Sequence, residues 1–271
     1  MPPSWLVRDA SVADAFERRA ARAVDLVEGS INGEALQFAA GLYRAQARVA
    51  TALAGVTLTG TLAPDLDAFR GRLDPILRHA IDRGPSGLAT EATALRRAGA
   101  DAMTERLIAW WRGPRTGRTD YLARALLRPY AESLAAAGVI PEPASTGISP
   151  AGACQRCGGP AWIGWRRSGA GDEAPSRYLG CGVCGSERTV DRIGCPACGQ
   201  TEPTQLAVFQ TERYPAARLE ACEACQRYVK SIDLTHDGRA IPEIDDLCSL
   251  SLDLWAAEQG YERLEPSLAG V

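Results

Sequence analysis

Two hydrophobic periodicities divide this chain. From residue 12 to about 137, apolar positions recur every three or four residues, the spacing that lines one face of an α-helix. The first such stretch predicts a helix over Val12 to Val27. In the next, Ile31, Ala35, Phe38, Leu42, Ala45, Val49 and Leu53 share a face, with Ser30 or Asn32 placed to cap its start and Gly55 to end it. A third begins at Pro64, carries Leu66, Phe69, Leu73, Leu77 and Ile81, and stops at Gly84. Pro75 lies inside it and predicts a break or kink, because proline has no N–H to give the helix. Helices over 86–111 and 119–137 follow, with Pro129 marking a second expected kink. These stripes read as the core of a helical bundle. Trp110 and Trp111 are adjacent and cannot both face inward at the same angle, which makes one of them a candidate partner contact.

Residues 139–153, with three prolines and four glycines or serines, read as a linker. Beyond it the pattern changes to short β-type runs at 161–166, 177–181, 205–210, 217–222 and 227–234. The tail at 241–264 returns to helix, with Leu247, Leu250, Leu254 and Ala257 on one stripe and Gly260 as its stop. The predicted fold is α+β and multidomain. A helical domain (1–138), the linker (139–153) and a cysteine-rich domain ending in a helix (154–271) make up the chain.

Composition sharpens this division. Of 271 residues 46% are apolar, enough for a real core, and 30 cations against 33 acids leave a net charge of −3. A general nucleic-acid binder carries a basic surface, so that class is disfavoured, although local basic patches remain open. All the cations but Lys230 are arginine. The N-terminal residues show no apolar stretch of signal-peptide length, and no run approaches the roughly 18 apolar residues of a membrane span. A soluble cytoplasmic protein with no membrane insertion is expected.

The nine cysteines start only at Cys154. Eight form CxxC pairs: Cys154/Cys157, Cys181/Cys184, Cys195/Cys198 and Cys222/Cys225. Adding 41 to the residue numbers of the first two pairs gives the last two, so each half reads C-x2-C-x23-C-x2-C and the unit is duplicated. Two thiolates at this spacing on a tight turn can reach one tetrahedral ion, and two such turns complete a four-cysteine cage. Gly158, Gly185 and Gly199 follow three of the pairs and ease the turn, whereas Gln226 follows the fourth. The loop at 169–176 fits between two strands of the first half. Four pairs so close together do not resemble a thioredoxin-type site, and disulfides are out of place in a reducing compartment. The repeat favours consecutive pairing of the motifs over an interleaved arrangement. Each closed cage suits zinc, as in zinc ribbons, or a rubredoxin-like iron, and leaves no open position for metal-ion hydrolysis.

Other chemistry is sparse. His79 reads as a surface or capping residue and His236 as part of a turn. Cys248 reads as a small buried hydrophobe on the tail helix. No GxGxxG, GxxxxGK[ST] or GxSxG motif is present, so an enzyme is not expected.

The segments "RYLGCGVCGSERTVDRIGCPACG", "ACEACQRYVKSIDL" and "IPEIDDLCSLSLDLWAAEQGYERLEPSLAGV" resemble the formate dehydrogenase accessory protein family, FdhE. The resemblance is close from about residue 150 to the C terminus; the helical half agrees only in kind and length. Two positions depart from the family pattern: Arg188 replaces an expected aromatic residue, and Cys248 a small apolar one. The resemblance implies a cytoplasmic maturation factor, not an enzyme, that binds the immature catalytic subunit of formate dehydrogenase. It implies two metal ions, with iron favoured and zinc as the alternative, held by Cys154, Cys157, Cys181, Cys184, Cys195, Cys198, Cys222 and Cys225. "DDL", Asp245 to Leu247, carries over as a shared motif whose acids could cap a helix or contact a partner. The rival functions are a zinc-ribbon nucleic-acid-binding protein and a rubredoxin-like redox protein. Residues 154–271 hold 12 Lys or Arg against 17 Asp or Glu, which weighs against the first.

Overall fold

Helix α1 (Val12–Asp25) starts on a capping box: Ser11 accepts from the Asp14 N–H, and Asp14 accepts from the Ser11 N–H at 3.0 Å. In this computed structural model, which describes residues 11–144, 151–168 and 174–270, five further helices follow. They are α2 (Gly33–Leu53), α3 (Leu62–Phe69), α4 (Asp74–Arg83), α5 (Ser86–Arg112) and α6 (Tyr121–Ala136). Residues 145–150 of the expected linker and 169–173 of the expected loop lie outside the described residues, as do 1–10 and 271.

The expected break near Pro75 is present. A 3-10 turn over Arg70–Arg72 separates α3 from α4, and Pro75 sits in the first turn of α4, where a missing N–H costs nothing. Pro129, in contrast, is accommodated within α6. A break that periodicity does not signal falls in α5 at Gly99, whose φ of 91° suits only glycine readily. Ile31 departs from the expected stripe, being 70% exposed; Leu42, Ala45, Val49 and Leu53 are buried as expected, and Leu36, Ala39 and Tyr43 are buried beside them.

The cysteine-rich half forms one mixed sheet. Its strands are β1 (Ala161–Arg167), β2 (Ser176–Cys181), β3 (Glu187–Val190), β4 (Leu206–Gln210), β5 (Ala217–Cys222), β6 (Arg227–Asp233) and β7 (Glu262–Arg263). The order is β3-β2-β1-β6-β5-β4, with β7 beside β6. Two antiparallel three-stranded units therefore meet through the parallel pairing of β1 with β6. The 41-residue offset carries β2 directly onto β5.

The tail is less regular than its stripe suggests. It splits into α7 (Pro242–Asp245), a 3-10 turn over Asp246–Ser249, and α8 (Leu250–Glu258). Leu254 is 57% exposed, while Leu252, Asp253 and Ala256 face inward. A buried lysine accounts for this rotation. Lys230 on β6 is fully buried and its ammonium pairs with Asp246 at 2.9 Å and with Asp253. Arg263 on β7 bonds the same two carboxylates at 2.9 Å each, and Tyr228 donates to Asp253 at 2.8 Å. Two cations and two anions neutralise one another, and α8 must turn Asp253 inward to complete the set.

A second tetrad joins the two halves. Arg19 on α1 and Arg128 on α6 both pair with Glu132 of α6 and with Glu243 of α7, and Tyr43 of α2 donates to Glu243 at 3.0 Å. Burial alone would raise the Glu243 pKa, but the Arg128 and Arg19 guanidiniums hold it below the usual carboxylate value. Around this tetrad the helices share one apolar core with Trp162, Val183, Ile244, Leu247 and Leu268 of the cysteine-rich half.

Removing one member of a closed ion set strands the others. Lys230→Met is expected to cost about 3–5 kcal/mol of unfolding free energy. Arg78→Ala, which breaks the exposed Arg78–Asp74 pair, is expected to cost less than about 1 kcal/mol. Urea unfolding of the two variants checks this, and similar midpoints would contradict it.

Candidate metal centres

The four CxxC pairs form nearly identical turns. In each of the first three, the N–H of the glycine after the second cysteine donates to the carbonyl of the first, as Gly158 does to Cys154 at 2.8 Å. The turn closes only with a left-handed residue at that position: φ is 70° at Gly158, 66° at Gly185 and 81° at Gly199. Gln226 fills the fourth position at φ 55° and makes the same bond to Cys222 at 2.9 Å. Its side chain donates to the Glu223 carbonyl at 2.7 Å, a local anchor that glycine lacks. The turn geometry thus survives where the glycine pattern fails.

β2 and β5 each end on a cysteine, Cys181 and Cys222, and these strands bring the turns together in consecutive pairs. One group is Cys154, Cys157, Cys181 and Cys184, and the other is Cys195, Cys198, Cys222 and Cys225. Within each, the four sulfurs lie within 4.8 Å of one another. Individual separations are 3.7 Å for Cys154–Cys184, 3.4 Å for Cys157–Cys181, and 3.7 Å for both Cys195–Cys225 and Cys198–Cys222. A tetrahedron with metal–sulfur bonds of about 2.3 Å has edges of roughly 3.8 Å, so both groups fit one ion. The contacts are far too long for S–S bonds of about 2.05 Å.

The electrostatics of the first group suits a cation. Hydrogen bonds from Cys157, Cys181 and Cys184 hold Cys154 well below the ordinary thiol pKa, and the Cys154 sulfur pushes Cys157 and Cys181 well above it. Four thiols this close cannot all ionise unless positive charge lies between them.

The two groups differ in surroundings. The first is packed against the helices, with Cys157, Cys181 and Cys184 in the shared core. In the second, Cys198 is exposed and Cys225 half-buried.

Arg115 marks the first group further, and no sequence motif announces it. This fully buried residue adopts φ 54° and lies 3.9 Å over the Trp111 ring. Its guanidinium donates to three carbonyls: Trp111 at 2.5 Å, Cys157 at 2.7 Å and Glu142 at 2.7 Å. Burial lowers its pKa, while the Cys157 and Cys181 sulfurs and Glu142 act in the opposite sense. All three bonded partners are neutral. Four thiolates around a divalent ion would carry a net −2, a countercharge suited to this cation.

Other candidate residues fall elsewhere. Trp110 and Trp111 are both buried, so neither is a free partner contact; Trp110 bonds the Thr116 carbonyl at 2.9 Å. His79 is half-buried rather than on the surface. It stacks on Phe38 with centroids 5.0 Å apart, and its Nε2 lies 2.8 Å from the Phe38 carbonyl. His236 lies exposed in its turn, and Cys248 joins neither cysteine group. Arg188 donates to the Ala151 carbonyl beside the first knuckle.

The "DDL" acids are committed internally. Asp245 pairs with Arg22 and accepts from the Ile241 N–H at 2.8 Å, and fully buried Asp246 belongs to the Lys230 set. The terminal "EPSL" docks on the helices through Glu265, which pairs with Arg124 at 2.6 Å and accepts from Gly117 N–H at 2.6 Å.

Comparison with known proteins agrees with this architecture. Residues 193–269 match the family described as "FdhE, C-terminal domain". The chain is 38% identical over 95 residues to the Protein FdhE homolog of Aquifex aeolicus, a match covering 35% of this chain and 34% of that one. It is 30% identical over 289 aligned positions to the Protein FdhE homolog of Pseudomonas aeruginosa, covering 94% and 89% of the two. The crystal structure of the FdhE protein from Pseudomonas aeruginosa superposes with a TM-score of 0.70 at 25% identity, over 96% of each chain.

If Arg115 balances the first cage, Arg115→Gln should release metal from that cage about tenfold faster or more under a chelator and leave the second unaffected. Arg115→Lys should restore part of the difference, and Cys248→Ser should release none. Metal analysis with mass-spectrometric mapping of newly alkylated cysteines reads all three, and equal loss from both cages would contradict the assignment.

Proposed function

We propose, from the premise that this chain belongs to the FdhE family, that it is an accessory protein for formate dehydrogenase. It binds the immature catalytic subunit in the cytoplasm and is needed for that subunit to become active. The observation that carries the reading is family membership over nearly the whole chain together with two complete four-cysteine groups.

Several features support it. Each group places four sulfurs around one point, which suits a closed ion and not an open, water-activating one. Buried Arg128, Glu243 and Asp246, whose pKa values are perturbed, belong to balanced ion sets. An accessory, non-catalytic role accords with that. Among the described residues no helix is long and apolar enough to cross a membrane. Eight cysteines held as thiolates suit a reducing compartment.

The eight cysteines are proposed as the ligands of two ions, with iron favoured over zinc by the family resemblance. The exposure of Cys198 lends weight to a second reading, in which the outer cage exchanges electrons as a rubredoxin does. Protein loaded with redox-silent zinc separates the two: full support of maturation by the zinc form excludes electron transfer.

Affinity capture from the native host, with metal analysis of the same sample, tests the main reading. It should recover a formate dehydrogenase catalytic subunit and about two metal ions per chain. Recovery of nucleic acid in its place, or of about one ion per chain, would overturn it.

A further inference from the structure

The segment from residue 154 onward carries more acids than cations, 17 against 12. Five of those cations nevertheless gather on one face of the sheet. Strand register puts Arg166 beside Arg177, Leu179 beside Arg188, and Ser231 between Gly164 and Arg218, so Arg166, Arg177, Arg188 and Arg218 share this face. Residues 191–199 cross it, tied down by Arg177, whose Nη1 donates to the carbonyls of Asp191 at 3.1 Å and Gly194 at 3.0 Å. Arg192 projects from this crossing segment and is exposed.

Clefts of 410 and 280 Å3 open on its two sides. The smaller is lined by Arg166, Arg177 and Arg192, with Leu206 and Val208 on its apolar wall.

Carboxylates do not balance these cations. Glu220 is shared between Arg177 at 2.7 Å and Arg218 at 3.3 Å. Asp191 is exposed, and Asp233, opposite Arg166 in register, accepts from the Thr235 N–H and hydroxyl. Buried donors are left over: Arg166 Nε, Arg218 Nη2 and the Ser231 hydroxyl have no hydrogen-bond partner among the described residues. Buried polar groups without partners are costly, and a partly desolvated positive cleft attracts anions strongly. Beside it, Ile193 and Val208 are 48% and 55% exposed. Among the described residues β4 pairs only with β5, so its outer edge can accept another strand.

We propose that this cleft is a docking site for an acidic, extended segment of a partner polypeptide. Its carboxylates bond to Arg166 and Arg192, its apolar residues cover Ile193 and Val208, and its backbone runs along β4. The proposal rests on the reading of the chain as an accessory protein and names the surface and chemistry by which it would take its client. The apolar rim and free strand edge favour a peptide over a small oxyanion or a nucleic acid.

The test uses the full metal-loaded chain and a fluorescein-labelled peptide of alternating glutamate and valine, read by anisotropy. Binding is expected to weaken with added salt and to fall about tenfold or more in Arg166→Gln/Arg192→Gln. The same peptide with lysine in place of glutamate should not bind. Arg192→Gln alone alters an exposed side chain and supplies a folded variant, and retained metal and melting temperature control for the pair. Any of four results would overturn the site: no binding, equal binding of the lysine peptide, unchanged affinity in the double variant, or displacement by orthophosphate or a single-stranded oligonucleotide at matched charge. Capture of formate dehydrogenase by a chain that ignores the peptide would overturn the docking site alone, whereas failure to capture it would count against the accessory reading itself.

Discussion

The architecture depends on one constraint: a guanidinium, ammonium or carboxylate taken out of water must find its opposite inside. Arg19 and Arg128 enter the core from the helices, and Glu132 can satisfy only part of their demand. Glu243, more than a hundred residues further along the chain, completes the set. An apolar interface could slide; this one cannot, because a small shift leaves a charge unpaired in a medium where it is costly. The register between helices and sheet is therefore set by polar groups. The apolar core around Trp162 and Leu247 supplies cohesion.

The same constraint gives physical meaning to the tail. Lys230, Asp246, Asp253 and Arg263 stand far apart in sequence and form one closed set. A stripe calculation puts Leu254 inside and leaves Asp253 facing water. The structure reverses them because Lys230, the chain's single lysine, is fully buried and pairs with Asp246 and Asp253. Periodicity weighs apolar residues alone, so it cannot anticipate a carboxylate whose burial is required by a lysine on another strand.

What could be read from the sequence divides along that line. Local rules located the helices, the break before Pro75, five of the strands and the two groups of four cysteines, since spacing and turn chemistry act over a few residues. The 41-residue repeat pointed to consecutive pairing of the motifs. Long-range rules were hidden. Nothing near Arg115 shows that it will cross to the Cys157 carbonyl, and nothing near Trp110 and Trp111 shows that both rings will be covered. β3 escaped notice because "ERTV" is four residues long and half polar, and its partner β2 lies on the far side of a knuckle.

Duplication also leaves an asymmetry that sequence symmetry conceals. The two units join head to tail, the outer edge of β1 in the first against β6 in the second, so among the described residues the matching edges at β3 and β4 stay open. Head-to-tail joints of this kind can in principle repeat without end. β3 discourages that: it is short, and Glu187 and Arg188 put charge along it. β4 carries no charged residue and stays available. The cages diverge in the same direction. The one nearer β3 is packed against the helices, with Cys157, Cys181 and Cys184 buried and Arg115 bonded to its Cys157 carbonyl, while the one nearer β4 keeps Cys198 at the surface. A buried tetrathiolate centre is slow to exchange and suits a structural joint, whereas an exposed one is open to solvent, thiols and partners. One copy of the duplicated unit has thus become the fastening between the halves. The other has kept its cage, its strand edge and the arginine-lined cleft together on the free side of the molecule.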